Sequence, residues 1–313
     1  MTAFDATGKV LATVRVGKAP MGLAVPRGTN KLYVGNEGSN SVSVISVTRH
    51  EVIATINVGS RPHHMYASAD GSRVYVAEFG TNKIGVIDTM TDDLVAEWAT
   101  GPPTERTHAP APTQDGKTLY AVNSGTNTLV ALDAHTGAIQ WSMATGDNPS
   151  EFHVSRDGRT GYLSLRNADE IDVINLVARQ VVRRIPVGDQ PDTVQIAPDE
   201  TFVVVALRST PAEVDVINLH NSSVSKLVFT GVRVAVTTGS ARTGATRLCR
   251  LTIRAASASS TTGRSRSSRR GTTRAAARST ACFTMILGRR AVRGCPFRHG
   301  IHTSARTGSL EFA

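Results

Sequence analysis

Residues 73–101 read RVYVAEFGTNKIGVIDTMTDDLVAEWATG, and their pattern decides the fold. Apolar and polar side chains alternate with period two in RVYVAEF (73–79), KIGVIDT (83–89) and LVAEWAT (94–100), and Val, Ile, Tyr and Thr dominate them. That period puts one set of side chains on one face of an extended chain, which marks half-buried strands. HMYASAD (64–70) adds a fourth strand upstream. No helical period intervenes.

The unit recurs. KLYVGNEGSNSVSVISVTRHEVIATINVG (31–59), TLYAVNSGTNTLVALDAHTGAIQWSMATG (118–146), TGYLSLRNADEIDVINLVARQVVRRIPVG (160–188) and FVVVALRSTPAEVDVINLHNSSVSKLVFTG (202–231) align with it almost without gaps. Gly17, Gly59, Gly101, Gly146, Gly188 and Gly231 close the units at intervals of 42, 42, 45, 42 and 43 residues. Four antiparallel strands every 40 to 45 residues form the blade of a β-propeller, whose radial packing buries each sheet between its neighbours. ADGS (69–72), QDGK (114–117) and RDGR (156–159) fall between the first two strands of a unit. Asp-Gly predicts two-residue type I′ hairpins there, because both central residues of that turn need positive φ. The fold class is therefore all-β, a propeller of four-stranded blades with about five present. FDATGKVLATVRVG (4–17) matches the last two strands of a blade. Two readings of that half blade stay open: closure of the ring by the two termini, or a start chosen too far downstream.

The repeats resemble the YVTN family of β-propeller repeats, on GSRP (59–62), the Asp-Gly pairs, LYV (32–34) and VID (86–88). The resemblance covers residues 1 to about 231. It implies seven blades in an intact protein, and export to or display at the bacterial surface.

Charge separates the chain into two regions. From Gly231 onward there are 16 Arg, no Lys and one acid, Glu311, a net charge of +15. Residues 1–230 hold the other 19 basic and 24 acidic residues, net −5, so the overall +10 does not mark a nucleic-acid-binding surface. Cys249, Cys282 and Cys295 all lie in the late region, which leaves the repeats without a disulfide or a thiol nucleophile. No apolar run approaches the roughly 20 residues that span a bilayer, and no signal peptide is legible. The sequence as written is expected in the cytoplasm, or in the periplasm or outside the cell if the true N-terminus lies upstream. A monomer is expected.

The sequence divides into repeats at 1–230 and an Arg/Ser/Ala/Thr-rich tail at 231–313, expected to be disordered or irregular. A frame slip explains the tail's composition. If the last base of each codon is joined to the first two of the next, SARTGATRLC (240–249) becomes compatible with Ser-Pro-Asp-Gly-Arg-Tyr-Thr, the hairpin phrase of the repeats. The hidden Asp-Gly falls 11 codons after Gly231, as Asp70 falls 11 residues after Gly59. The tail is thus expected to be an out-of-frame remnant of the last blades.

Propeller ligands bind where innermost strands meet at a mouth of the central channel. Seven residues before each hairpin Asp stand His63, His108, Ser150 and Asp192, with Met21 in the first blade. One step on stand Gly22, His64, Ala109, Glu151 and Thr193. His63, His64, His108, Glu151 and Asp192 are the candidate ligand residues. Neutral imidazoles beside a carboxylate suit a borderline divalent metal such as Zn or Cu, while the bland alternative is that these histidines only hydrogen-bond loop carbonyls. His50, His135, His153 and His220 are expected to be solvated, as are the paired acids Asp92-Asp93 and Asp169-Glu170. Trp98 and Trp141 are expected between blades. The motifs of serine hydrolases, phosphate loops and dinucleotide folds are missing. A non-catalytic scaffold binding a protein, glycan or small molecule is the leading expectation. A metal-dependent lactonase or lyase is the alternative.

Overall fold

The computed structural model describes residues 1–5, 9–103 and 106–228 in full, and residue 229 by its backbone. Beyond them it describes only the backbone of strands at 233–243, 246–256, 280–287, 302–303 and 310–311. Two compact units result, Met1–Ile196 and Ala197–Ala313. The protein is an all-β propeller repeat protein of about five four-stranded blades.

The first unit opens with β1 (Thr2–Phe4) and β2 (Val10–Thr13), an antiparallel pair where the sequence anticipates half a blade. Blade I is β3 (Pro20–Ala24), β4 (Lys31–Asn36), β5 (Ser41–Ser46) and β6 (Glu51–Asn57). Blade II is β7 (Pro62–Ala67), β8 (Arg73–Glu78), β9 (Lys83–Asp88) and β10 (Asp93–Ala99). Blade III is β11 (Thr107–Pro112), β12 (Thr118–Asn123), β13 (Thr128–Asp133) and β14 (Ile139–Ala144). Blade IV is β15 (Pro149–Val154), β16 (Thr160–Leu165), β17 (Glu170–Asn175) and β18 (Gln180–Pro186), and β19 (Pro191–Ile196) ends the unit. In each blade the strands pair antiparallel in chain order. The second unit takes up the repeat with β20 (Phe202–Leu207), β21 (Ala212–Asn218) and β22 (Val224–Phe229), paired antiparallel in turn. Within the late region β23 (Arg233–Thr243), β24 (Thr246–Ala256) and β25 (Thr280–Leu287) pair antiparallel. The expectation of an irregular tail otherwise falls outside the described residues.

The core lies between blades. Tyr33, Val42 and Val44 of blade I meet Val74, Val76 and Ile87 of blade II, and Ile84 and Val86 meet Leu119 and Val130 of blade III. Tyr120, Val122 and Leu129 meet Phe152, Leu163 and Ile174 of blade IV. Period-two alternation supplies an apolar set on each face of a middle strand, so a sheet packed on both sides reads as nearly continuous burial in β8 and β12. Outermost strands alternate exposed and half-buried. Trp98 and Trp141 sit on them, against Tyr75 and Tyr120. A Cβ on Gly137 of blade III would come within 2.2 Å of Trp98 in blade II, which confirms the expected place of that indole between blades.

The hairpins differ from the expected type I′. Positive φ occurs at Gly71, Gly116 and Gly158 but at none of the preceding aspartates. Gly71 N–H donates to Ser68 O at 3.0 Å, so Ser68 to Gly71 form a turn with one left-handed residue at its end, and five residues link β7 to β8. The aspartate serves by its side chain. Asp70 Oδ1 accepts from Ser68 Oγ at 2.5 Å and from Ser72 N–H at 3.1 Å, and Asp115 and Asp157 repeat both bonds with Thr113 and Lys117, and with Ser155 and Arg159. These bonds hold Asp70 down at about 2 and shift Asp115 and Asp157 in the same direction.

Two of the acids expected in solvent also link blades. Asp92 pairs with Lys31 Nζ at 2.8 Å and accepts from Tyr33 OH. Asp169 Oδ1 accepts from Gln190 N–H at 2.9 Å. Asn40 and Asn127 do the same for Arg61 and Asn148, each the residue before the proline that starts the next innermost strand. These bonds fix where each innermost strand begins.

Candidate functional site

The innermost strands β3, β7, β11, β15 and β19 lie beside one another in order. Each of the first four carries a register irregularity near its start. In blade II, Pro62 faces Glu78 while Met65 faces Val76, so His63 and His64 together oppose only Ala77. His108 is the extra residue in blade III, and Ser150 and Glu151 oppose Ser164 in blade IV. A β-bulge of this kind re-aims side chains that regular pleating would send to opposite faces. His63 and His64, consecutive in sequence, therefore lie with ring centroids 4.6 Å apart. Blade I contributes no side chain at the matching step. A Cβ on Gly22 would come within 2.0 Å of the carbonyl oxygen of His63, so glycine is what lets β3 approach β7 here.

The cluster draws on the innermost strands β7, β11, β15 and β19. The His108 ring lies 4.6 Å from that of His63 and 4.9 Å from that of His64, and the candidate ligand nitrogens of all three lie within 4.8 Å of one another. His64 Nδ1 stands 3.5 Å from Glu151 Oε1, which also accepts from Tyr66 OH, while Glu151 Oε2 accepts from Val194 N–H at 3.0 Å. Arg166 Nη2 lies 3.0 Å from His108 Nε2, and Arg166 Nε donates to Asp192 Oδ1 at 2.9 Å. Ser150 Oγ donates to Asp192 O at 2.6 Å. Phe79 covers one side, 5.4 Å from His63 and 5.5 Å from His108, with Arg61 stacked over it at 4.9 Å.

The donors fix the protons. A guanidinium only donates, so His108 Nε2 accepts from Arg166 and the ring proton sits on Nδ1. His108 is 1% exposed, and its Nδ1, like that of His63, is buried without a hydrogen-bond partner among the described residues. Burial, then the neighbouring His64 imidazole, pulls His63 down to about 3. Burial, then His64 and His63, holds His108 well below the ordinary histidine value. Both rings are neutral near pH 7. Tyr66 is pushed well above the usual tyrosine value by burial and by Glu151, so its hydroxyl keeps its proton and donates it.

All five candidate residues thus fall in one connected cluster: His63, His64 and His108 by ring contact, Glu151 through His64, and Asp192 through Arg166. Tyr66 and Arg166 are the members that sequence reasoning missed, and both had a signal. Tyr66 is two residues beyond His64 on the same strand. Arg166 follows β16 as Phe79 follows β8, a slot that in both blades turns toward the histidines. His153 departs from expectation. It is half-buried, and its Nδ1 accepts from Ile196 N–H at 2.7 Å. His50, His135 and His220 are exposed as expected. Asn36, Glu78 and Asn123, the last residues of their second strands, are fully buried and bond to nearby loops and strands: Glu78 Oε1 accepts from Gly59 N–H at 3.1 Å.

Residues 1–250 match the family model described as outer membrane protein assembly factor BamB. Among solved structures, Kuenenia stuttgartiensis hydrazine synthase superposes with a TM-score of 0.63 at 24% sequence identity, over 70% of this chain and 70% of that one. At that identity the likeness is one of fold. No curated protein sequence matches the chain.

Proposed function

Because the chain belongs to the family of the outer membrane protein assembly factor BamB, we propose that it is a propeller scaffold that recognises a ligand at its histidine cluster without transforming it. One observation carries this: neither hydroxyl of the cluster, Ser150 or Tyr66, donates to an imidazole that could act as its base. Ser150 donates to Asp192, Asp192 accepts from Arg166, and Glu151 is held by Tyr66 and Val194. A serine nucleophile is activated by an adjacent base such as an imidazole, and the shorter bond of Ser150, 2.6 Å, goes to the non-basic carbonyl oxygen of Asp192, with its carboxylate at 3.2 Å. What remains on offer is the neutral rings of His63 and His108, which suits binding. The ligand class is a protein, a glycan or a small molecule, and the family description as an assembly factor favours a protein.

In this reading the repeats are of the YVTN type, the protein acts in the periplasm or outside the cell, and residues 231–313 are the out-of-frame remnant of further blades. Panels of peptides, glycans and small polar molecules test the role. Binding is expected, lost in a His63→Ala, His108→Ala double variant, with no turnover of lactones or other esters. Turnover that disappears in the same variant would establish instead the lactonase or lyase reading, which the close approach of three imidazoles favours.

A further inference from the structure

We propose that His63, His64 and His108 bind one divalent transition ion, Zn²⁺ or Cu²⁺ in class, and that the ion leaves a coordination position open to the donor atom of the scaffold's ligand. The proposal deepens the recognition reading and rests on it for the role of that open position.

Three imidazoles at one point are the usual protein ligand set for such an ion, with a fourth position for water or ligand. With metal–nitrogen bonds of about 2.1 Å and tetrahedral angles, ring centroids would stand about 5 Å apart. Here they stand 4.6, 4.6 and 4.9 Å apart. The candidate ligand nitrogens, within 4.8 Å of one another, must close to about 3.4 Å on one ion. His64 has within reach the kind of outer partner that metal-bound histidines share: its Nδ1 stands 3.5 Å from Glu151 Oε1, and a turn of the ring that brings an Nδ1–H onto that oxygen leaves Nε2 for the ion. Glu151 is itself fixed by Tyr66 OH and Val194 N–H.

The other two rings present a different sign. Their Nδ1 atoms are buried with no partner among the described residues, a costly state for a polar group that needs an explanation. An ion at those atoms supplies it. For His108 the ring proton must then move from Nδ1 to Nε2, where Arg166 now donates, and the guanidinium must release that contact. It can do so without being stranded, because its Nε bond to Asp192 persists. Arg166 therefore opposes metal binding, by competing for His108 Nε2 and by its charge.

The experiment uses the full chain with Cys249, Cys282 and Cys295 replaced by serine, since thiolates would compete for the ion. Titration with Zn²⁺, and with Co²⁺ as a spectroscopic stand-in, is expected to give one ion per chain. His63→Ala, His64→Ala and His108→Ala are each expected to weaken binding at least tenfold, and Arg166→Gln to tighten it. X-ray absorption on the Zn²⁺-loaded parent protein, expected to count three imidazoles, keeps the proposal testable should an alanine variant fail to fold. Fewer than two imidazoles, or affinity unchanged in His63→Ala and His108→Ala, would overturn it. The two readings fail separately. Ligand binding without Zn²⁺ binding removes the ion and leaves the scaffold, whereas Zn²⁺ binding with no effect on any ligand removes the open coordination position.

Discussion

The two ends of the innermost strands obey opposite rules. At the hairpin end, Asp70, Asp115 and Asp157 occupy the same turn, make the same two bonds and precede a glycine of the same left-handed conformation. At the opposite end the equivalent slots hold His63, His108, Ser150 and Asp192, which differ in chemistry and in the bonds they make: His108 Nε2 accepts from Arg166 Nη2, Ser150 Oγ donates to the Asp192 carbonyl, and the Asp192 carboxylate accepts from Arg166 Nε. Repetition there marks the scaffold, because each hairpin solves the same local problem of reversing the chain. Variation marks the site, because side chains from different blades converge on one place and must complement one another.

Both ends of the innermost strands rest on the interior between blades, where the largest loss is expected. Phe152 is fully buried, packs against Tyr120 at 5.3 Å and fills the space left by Gly161. Phe152→Ala is expected to lower stability by about 3–5 kcal/mol in urea unfolding. A loss below about 1 kcal/mol would mean that blades III and IV are not joined through it.

At the variable end, Glu151→Ala strands the buried Tyr66 hydroxyl and the Val194 N–H together. The expected cost is about 2–3 kcal/mol, more than Ser150→Ala, at about 1 kcal/mol. Equal costs would show that the slots are interchangeable and would erase the distinction. At the repeated end the opposite holds: Asp115→Ala and Asp157→Ala are each expected to cost about 0.5–1 kcal/mol, equally, and to add in the double variant.

The smallest effect is one of pH. Folding lowers Asp70 from 3.8 to about 2, so the native state favours its ionised form. Its contribution is complete above about pH 4 and is lost as pH falls through 2. The stability gap between wild type and Asp70→Asn should therefore close over that window in denaturant titrations. A gap unchanged down to pH 2 would mean that the hydrogen bonds of Ser68 and Ser72 do not depend on the charge.

By itself the sequence determined the repeat. Period-two alternation, closing glycines some 42 residues apart and Asp-Gly pairs are local signals, and a blade packs only against its neighbours, so each unit states its own fold. The same counting found the slots of His63, His108 and Asp192. It misjudged the hairpin type because the aspartate acts there through its carboxylate and not through its backbone. Only the tertiary structure decided that His63 and His64 share a side, since strict alternation separates them and the bulge opposite Ala77 reunites them. Only it decided that Tyr66 of blade II reaches Glu151 of blade IV, 85 residues away, and that Arg166 holds His108 and Asp192 at once. Periodicity fixes which way a side chain leaves its own strand. Where strands of successive blades converge is a property of their packing, and no single repeat contains it.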